Sequence, residues 1–278
     1  MDANSSDIVI IGMGKLGGME MSYNSDLDIT FIYDGDDQEY FSRLGQKIIS
    51  ILSIPTVEGF AYKIDLGLRP SGQAGALVSS FESFKRYHEE SAKLWERQAL
   101  IKARPCAGNM QLGSKVMNII NYFVYEKSLA DDFHKEIHHL RERMEKEIAR
   151  ESKTKLNLKT GRGGLVDIEF LIQMLQLRFG GSHIEVRQQN TMEALEGLKL
   201  CDLIKERFYH VLSDGYYFLK RLENLLRLLH DRSISEIYET DFQKLAAEME
   251  LTYDGDELRK TYILKTEEIR SIYDEYFL

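Results

Sequence analysis

Asp26 and Asp28 stand two residues apart in the run Ser25-Asp26-Leu27-Asp28. In an extended chain, residues at that spacing project to the same side. A third carboxylate, Asp65, falls in a later segment with a similar alternation, Tyr62-Lys63-Ile64-Asp65. Three carboxylates from neighbouring strands form a hard oxygen donor set of the kind that suits Mg2+. Two such ions clamp the attacking and leaving oxygens of an in-line phosphoryl or nucleotidyl displacement. Without a cation, carboxylates this close repel one another. Paired aspartates alone are commonplace on solvated strands and loops. What sets this pair apart is the preceding Gly17-Gly18 turn and the matching Asp65. Asp34, Asp36 and Asp37 flank Gly35 and read as a solvated loop.

The second feature is Gly12-Met13-Gly14-Lys15-Leu16-Gly17-Gly18. It lacks the GxxxxGK[ST] spacing of a Walker A loop. GxGxxG does match at Gly12, Gly14 and Gly17, and Asp34 lies about 20 residues on, as a dinucleotide-binding fold requires. That alternative explains neither the aspartate pair nor Asp65. The better reading is a loop whose backbone amides approach a triphosphate, because glycine permits close approach and positive φ, with Lys15 meeting a phosphate oxygen as a point charge. The plainer alternative for Gly17 and Gly18 is a tight turn feeding a helix.

The elements that must position these groups are legible in outline. Ile8 to Ile11 are four β-branched residues bounded by Gly12, a buried strand. From Asp26 to Phe31 the chain alternates, which predicts a strand with one wet and one dry face. Phe41, Leu44, Ile48, Ile49 and Leu52 recur at helical steps over 38–52, and Pro55 ends that helix. A second strand is expected over 59–66, with Phe60, Tyr62 and Ile64 on its apolar face. Arg69-Pro70-Ser71-Gly72 turns the chain, and Ser79 or Ser80 caps the next helix. Beyond about 113 the pattern is helical and highly charged over 118–151, breaks at 159–164, and resumes as helices to the end. The predicted class is therefore α+β, with a mixed-sheet domain at 1–112 and a helical bundle at 113–278.

Hydrophobic residues are 43% of the 278 and charged residues 29%, the balance of a globular protein with a sizeable core. The net charge of −9 argues against nucleic acid as a partner. One basic patch, Lys93, Arg97, Lys102 and Arg104, suits a nucleotide triphosphate better than a duplex. Cys106 and Cys201 have no CxxC companion and read as reduced thiols. The start, MDANSSDIVIIGMG, lacks the marks of a signal peptide, and no run of about 18 apolar residues occurs. The expected location is the cytoplasm, with no membrane partner.

Residues 95–104 read as a helix with Arg97 and Arg104 on one face, facing phosphates or making exposed ion pairs, and with Trp95 in the core. Gly161-Arg162-Gly163-Gly164 precedes Asp167 and Glu169. That segment either opens a helix beside the nucleotide, with these acids near metal or ribose, or simply caps the helix. The seven histidines form no zinc pattern, and no GxSxG occurs.

Four separated motifs, GMGKLGGMEMSYNSDLD, YKIDLGLRPSGQAGALV, LWERQALIKAR and GRGGLVDIEF, stand in order along the chain. With them the sequence closely resembles the bacterial glutamine synthetase adenylyltransferases, of the polymerase-β-like nucleotidyltransferase superfamily. The resemblance runs from about Ile8 to the end of the bundle. It implies a mixed sheet with flanking helices followed by a helical domain, and a long natural chain with two such units. One unit transfers AMP from ATP to a tyrosine of glutamine synthetase; the other removes it by phosphorolysis, giving ADP. A PII-type signal protein and glutamine set the balance.

Carried over by position, Asp26, Asp28 and Asp65 are the metal ligands. Gly17, Gly18 and Ser25 shape the phosphate site, and Arg69 meets phosphate or the carboxylates. One carboxylate of the triad accepts the tyrosine proton. SYNSDLD and LRPSGQAG resemble the C-terminal, adenylylating unit, and the end of the chain agrees with a C-terminal fragment. GMGKLGG and FLKRLENLL occur in deadenylylating units too, so both directions stay open, as does an inactive nucleotide- or regulator-binding module.

Overall fold

The computed structural model describes residues 7–57, 59, 61–249 and 254–278. The first six residues, read above for a signal peptide, and Phe60 lie outside the described residues. Backbone contacts divide the chain into two units. The first takes the residues up to Met21, then Ser25–Ser128 and Phe179–Thr191. The second takes Ser22–Asn24, Leu129–Arg178 and Met192–Leu278.

In the first unit, β1 (Ile8–Gly12) runs antiparallel to β2 (Leu27–Tyr33), with Ile10 opposite Phe31. One helical turn, α1 (Gly14–Gly17), follows β1 directly. The sheet order is β3-β2-β1-β5, with β3 (Ile64–Asp65) and β4 (Val78–Ser80) both parallel to β2, and β5 (Arg104–Gly108) antiparallel to β1. Leu27, Ile29, Phe31 and Tyr33 face a core completed by Ile8, Phe41 and Val78. That core packs the apolar side of α2 (Gln38–Ser53), whose N-terminus is capped by the Asp37 side chain accepting from the Tyr40 amide at 2.8 Å. Asp37 is therefore more than a solvated loop residue. Ser80 caps α3 (Phe81–Glu90), accepting from the Ser83 amide at 3.2 Å, as its type and position predict.

Several expectations change. The predicted wet face of β2 is wet only at its start, because Thr30 and Ile32 are buried. The strand expected over 59–66 shrinks to Ile64–Asp65, since Thr56 and Gly59 bridge each other in a tight turn and leave Tyr62 half exposed. The helix expected over 95–104 stops early. It exists as α4 (Leu94–Ala99), a 3-10 turn at Leu100–Lys102, and then β5. Pro105 disfavours a helical backbone at Arg104, which explains the switch. Trp95, expected in the core, is partly exposed.

The break expected after residue 112 falls inside α5 (Met110–Asn121). This helix belongs with the sheet: a Cβ on Gly113 would stand 2.9 Å from Pro105 and 3.3 Å from Val9.

In the second unit, α6 (Phe133–Met144), α7 (Leu165–Phe179), α8 (Thr191–Leu200), α9 (Glu206–His230), α10 (Glu239–Glu248) and α11 (Gly255–Phe277) supply the core. Leu219, Leu222 and Leu226 of α9 are fully buried, whereas Leu229 is exposed. The bundle also holds a two-stranded antiparallel sheet that the helical reading missed, β6 (Lys155–Asn157) on β7 (Glu236–Tyr238). Residues 22–24 lie on α9. Ser22 donates to Glu223 at 2.8 Å, Lys220 donates to Ser22 at 2.7 Å, and Arg227 donates to the Tyr23 carbonyl at 2.9 Å. Among the described residues no helix is long and apolar enough to cross a membrane.

Candidate active site

The parallel pairing of β2 and β3 sets Leu27 beside Ile64 and Asp28 beside Asp65. Register partners on adjacent strands share a face, and Asp26 lies two residues before Asp28. All three carboxylates therefore belong to the sheet face opposite Leu27, Ile29 and the α2 core. Asp26 Oδ1 is buried and has no hydrogen-bond partner among the described residues. Leaving an anionic oxygen buried and unpaired is costly. Asp65 Oδ1 accepts from the Gly67 amide at 2.7 Å.

This donor set fits a hard divalent cation: three carboxylates on one face, one with an oxygen that no protein donor satisfies. Among the described residues no three His, Cys, Asp or Glu side chains already stand close enough to enclose an ion.

An open cleft of about 540 Å³ is lined by Asp26, Ser53, Tyr62, Lys63, Ile64, Asp65 and Gln73. Asp28 is not among these. Its carboxylate lies instead against Gly14, where a Cβ would come 2.5 Å from Asp28 Oδ2. Gly14 also has φ +48, the left-handed region that favours glycine. Gly14, rather than Gly17 or Gly18, is the glycine of this turn that lies against a carboxylate of the triad.

Gly17 and Gly18 are buried and serve packing. A Cβ at Gly17 would overlap the Lys102 carbonyl, and one at Gly18 would stand 3.0 Å from the Gln189 carbonyl. The amides of Gly17, Gly18, Met19 and Glu20 all donate inside the turn, to Met13, Gly14, Leu16 and Lys15. They are spent locally and unavailable to a phosphate. Lys15 sits half-buried on α1, and Ser25 half-buried just before β2.

The basic patch is also largely committed. Arg104 donates to the carbonyls of Gly17 at 3.1 Å and Leu16 at 3.0 Å. Lys102 is buried in an ion pair with Glu20 and donates to Thr191 at 3.1 Å. Burial alone would raise the Glu20 carboxyl, but the Lys102 ammonium outweighs it and holds Glu20 below its ordinary range. Arg97 donates to the carbonyls of Val124, Lys127 and Ser128, and burial lowers its pKa to about 10. Three of the four cations expected to meet phosphate therefore hold the protein together.

Arg69 behaves similarly. Its guanidinium donates to the carbonyls of Leu66 (3.0 Å), Gln73 (3.1 Å) and Gly75 (3.2 Å). The loop leaving Asp65 is wound around this one side chain, with Ser71 and Gly72 at φ +61 and +56. These bonds make Arg69 the side chain that shapes the loop.

Asp167 is fully buried. It pairs with Arg141, lies 3.5 Å from Arg270, and accepts from the Gly163 amide at 2.6 Å. Of the two readings of the GRGG segment, the structural one holds for Asp167. Glu169 lies half-buried on α7. Sequence reasoning missed Glu20, Thr191 and Asn190, which donates to the Gly18 carbonyl at 3.0 Å; their partners are too distant in sequence for any local pattern to mark them.

Residues 1–119 match the family model described as glutamate-ammonia ligase adenylyltransferase. A bifunctional glutamine synthetase adenylyltransferase/adenylyl-removing enzyme from Hahella chejuensis is 35% identical over 241 residues, 83% of this chain and 25% of the relative. The chain belongs to the glutamate-ammonia ligase adenylyltransferase family. Relatives with the same name from Pseudomonas aeruginosa and Pseudomonas putida are 32% and 31% identical, over 86% and 96% of the chain. Their own lengths are covered to 25% and 27%, so the chain spans about a quarter of these relatives. Residues 131–277 match a second family model, GlnD PII-uridylyltransferase. The two matched stretches meet between 119 and 131, close to where the sheet-bearing stretch gives way to the second unit at 128.

Proposed function

We propose that this chain is an enzyme that transfers AMP from ATP to a tyrosine hydroxyl of glutamine synthetase, releasing pyrophosphate. The first unit is the nucleotidyltransferase domain. Asp26, Asp28 and Asp65 would hold two Mg2+ ions. The carrying observation is the Asp28–Asp65 register, with the buried, unpartnered Asp26 oxygen on the same face. Bound there, Mg2+ would offset charge on the phosphates and ease ionisation of the attacking hydroxyl.

The chain's own residues do the rest. Gly14 leaves room beside the Asp28 carboxylate, and Lys15, on the same turn, supplies a cation for a phosphate oxygen. The loop wound on Arg69 carries Gln73 to the cleft and fixes the exit from Asp65. A carboxylate of the triad takes the tyrosine proton.

The relatives' names also include adenylyl removal, so phosphate attack on adenylylated glutamine synthetase, giving ADP, is the second reading. The match of residues 131–277 to a PII-uridylyltransferase model favours control by a PII-type protein through the second unit, with glutamine as effector.

The decisive experiment is mass spectrometry of glutamine synthetase after incubation with this protein, ATP and magnesium. One added adenylyl group is expected. Parallel incubation of the adenylylated form with phosphate, followed for ADP, reads the other direction. Asp26→Asn combined with Asp28→Asn should cut either activity by on the order of 100-fold or more while leaving circular dichroism unchanged. Full activity in that double variant would remove the metal site.

A further inference from the structure

Ser22, Tyr23 and Asn24 belong to the second unit, although the chain on either side of them, up to Met21 and from Ser25, belongs to the first. Four residues of α9 hold them, and three of these, Lys220, Glu223 and Asn224, lie in the FLKRLENLL stretch at 218–226. Glu223 is fully buried, and a carboxylate there needs partners. It pairs with Arg227 at 3.1 Å and Lys220 at 3.4 Å. Two cations outnumber one carboxylate, and both turn further donors on the tripeptide. Arg227 donates to the Tyr23 carbonyl at 2.9 Å and Lys220 to the Ser22 hydroxyl at 2.7 Å. Ser22 donates in turn to Glu223 at 2.8 Å, and the Tyr23 amide donates to Asn224 at 3.3 Å. Both backbone groups of Tyr23 are thus bonded to one helix. Its side chain is largely exposed, so hydrogen bonds rather than packing fix it. Asn24 follows with φ +53, a left-handed conformation that persists only where the surroundings over-determine it. Freed from α9, the segment would relax, and Asp26 stands two residues beyond Asn24. Asp26 Oδ1 has no hydrogen-bond partner among the described residues, so that oxygen takes its place from the backbone.

We propose that Arg227 and Ser22, clamped together by the buried Glu223, are positioning residues for Asp26, so that the second unit sets the cation affinity of the first. The inference rests on the reading of Asp26 as a metal ligand and deepens it, adding the groups that hold this ligand in place. The link runs along the chain itself, from Tyr23 through Asn24 and Ser25 to the carboxylate. Any event that displaces α9 then alters cation binding without touching a carboxylate, which gives the second unit a means of control.

The test uses the full chain with Mn2+ as the probe ion, its binding read by electron paramagnetic resonance, which needs no turnover. Arg227→Lys keeps a charge beside Glu223 but loses the fork that serves two acceptors at once. Ser22→Ala is the milder second variant, and it decides alone if the first fails to fold. Each should weaken Mn2+ binding by about tenfold and raise the Mg2+ needed for half-maximal adenylyl transfer by a similar factor, with kcat at saturating Mg2+ changed less than about twofold. Amide exchange at residues 24–28 should quicken in the metal-free variants. Ile269→Val, a loss in the buried bundle core away from residues 22–24, should lower the melting temperature and leave both metal readouts in place. Unchanged Mn2+ and Mg2+ dependence in Ser22→Ala, in a protein that modifies glutamine synthetase, overturns the positioning role and leaves the enzyme reading standing. An equal loss of Mn2+ affinity in Ile269→Val also overturns it, because bundle stability alone would then account for the effect. Mn2+ binding that Ser22→Ala weakens, in a protein that never modifies glutamine synthetase, supports the positioning role and overturns the transfer reading. No Mn2+ binding by the unmodified protein overturns the metal site and the positioning role together.

Discussion

Gly14 ties backbone conformation to the site more tightly than any other residue. Its φ of +48 and its contact with Asp28 are separate demands, and both exclude a side chain. Gly14→Ala should cost about 1–2 kcal/mol from the left-handed backbone alone. It should also push the Asp28 carboxylate aside, so activity should fall by at least tenfold more than the stability loss explains. Urea denaturation beside adenylyl transfer checks this; a variant that is destabilised but fully active would show that Asp28 does not need its present position. At this scale the sequence was informative in one respect and silent in another. The two-residue spacing of Asp26 and Asp28 and the alternation at Asp65 foretold a common face, because strand geometry follows from local pattern. Which cations are free was not foretold. Arg69, Arg97, Lys102 and Arg104 look alike as letters, and each is committed by a carbonyl or carboxylate that only the fold brings near; Glu20 is 82 residues from Lys102.

Elements were legible where periodicity is long and lost where one neighbour decides. The 16-residue helix α2 carries its pattern in full view. The strand β3 is two residues long because only Leu27 and Asp28 pair with it, a fact outside its own sequence. Packing decides α3 in the same way. His88 sits near the end of that helix against Phe84, Tyr87 and Phe123, with ring centroids 4.5, 5.3 and 5.9 Å away. Burial, and then the nearby Lys127 ammonium, lower its pKa from 6.5 to about 4. The unfolded chain takes up this proton near pH 6.5, and the folded chain not until about pH 4. The unfolded state therefore binds more protons across that window. Stability is greatest above pH 6.5 and falls as pH drops toward 4, by up to about 3 kcal/mol. Trp95 is the single tryptophan and lies in the first unit, so its fluorescence reports unfolding there. Urea midpoints should decline from pH 7 to pH 5 in the unmodified protein and decline distinctly less in His88→Phe. Equal slopes in the two proteins would refute the assignment.

At the scale of the whole molecule, the order of the chain and the membership of its two units differ. The sequence suggested one break, after residue 112, because composition changes there. Contacts instead return Phe179–Thr191 to the first unit. That stretch carries partners the first unit needs. Asn190 donates to the Gly18 carbonyl, the Thr191 amide donates to Glu20 at 3.1 Å, and the Thr191 hydroxyl accepts from Lys102. Arg187 stacks over Tyr125 with 5.0 Å to the ring centroid. Lys102 and Glu20 are both nearly inaccessible to water, and a buried polar group deprived of its partner costs about 1–3 kcal/mol. A fragment of residues 1–128 keeps every strand of the five-stranded sheet and the whole carboxylate triad, yet loses these partners. It should therefore fold with a lower melting temperature by Trp95 fluorescence than the full chain. Its loss should be local as well, with amide exchange at residues 16–20 accelerated well beyond that of the β1 and β2 amides. Unchanged protection at 16–20 in the fragment would mean that the glycine turn is held by Arg104 and its own internal hydrogen bonds alone.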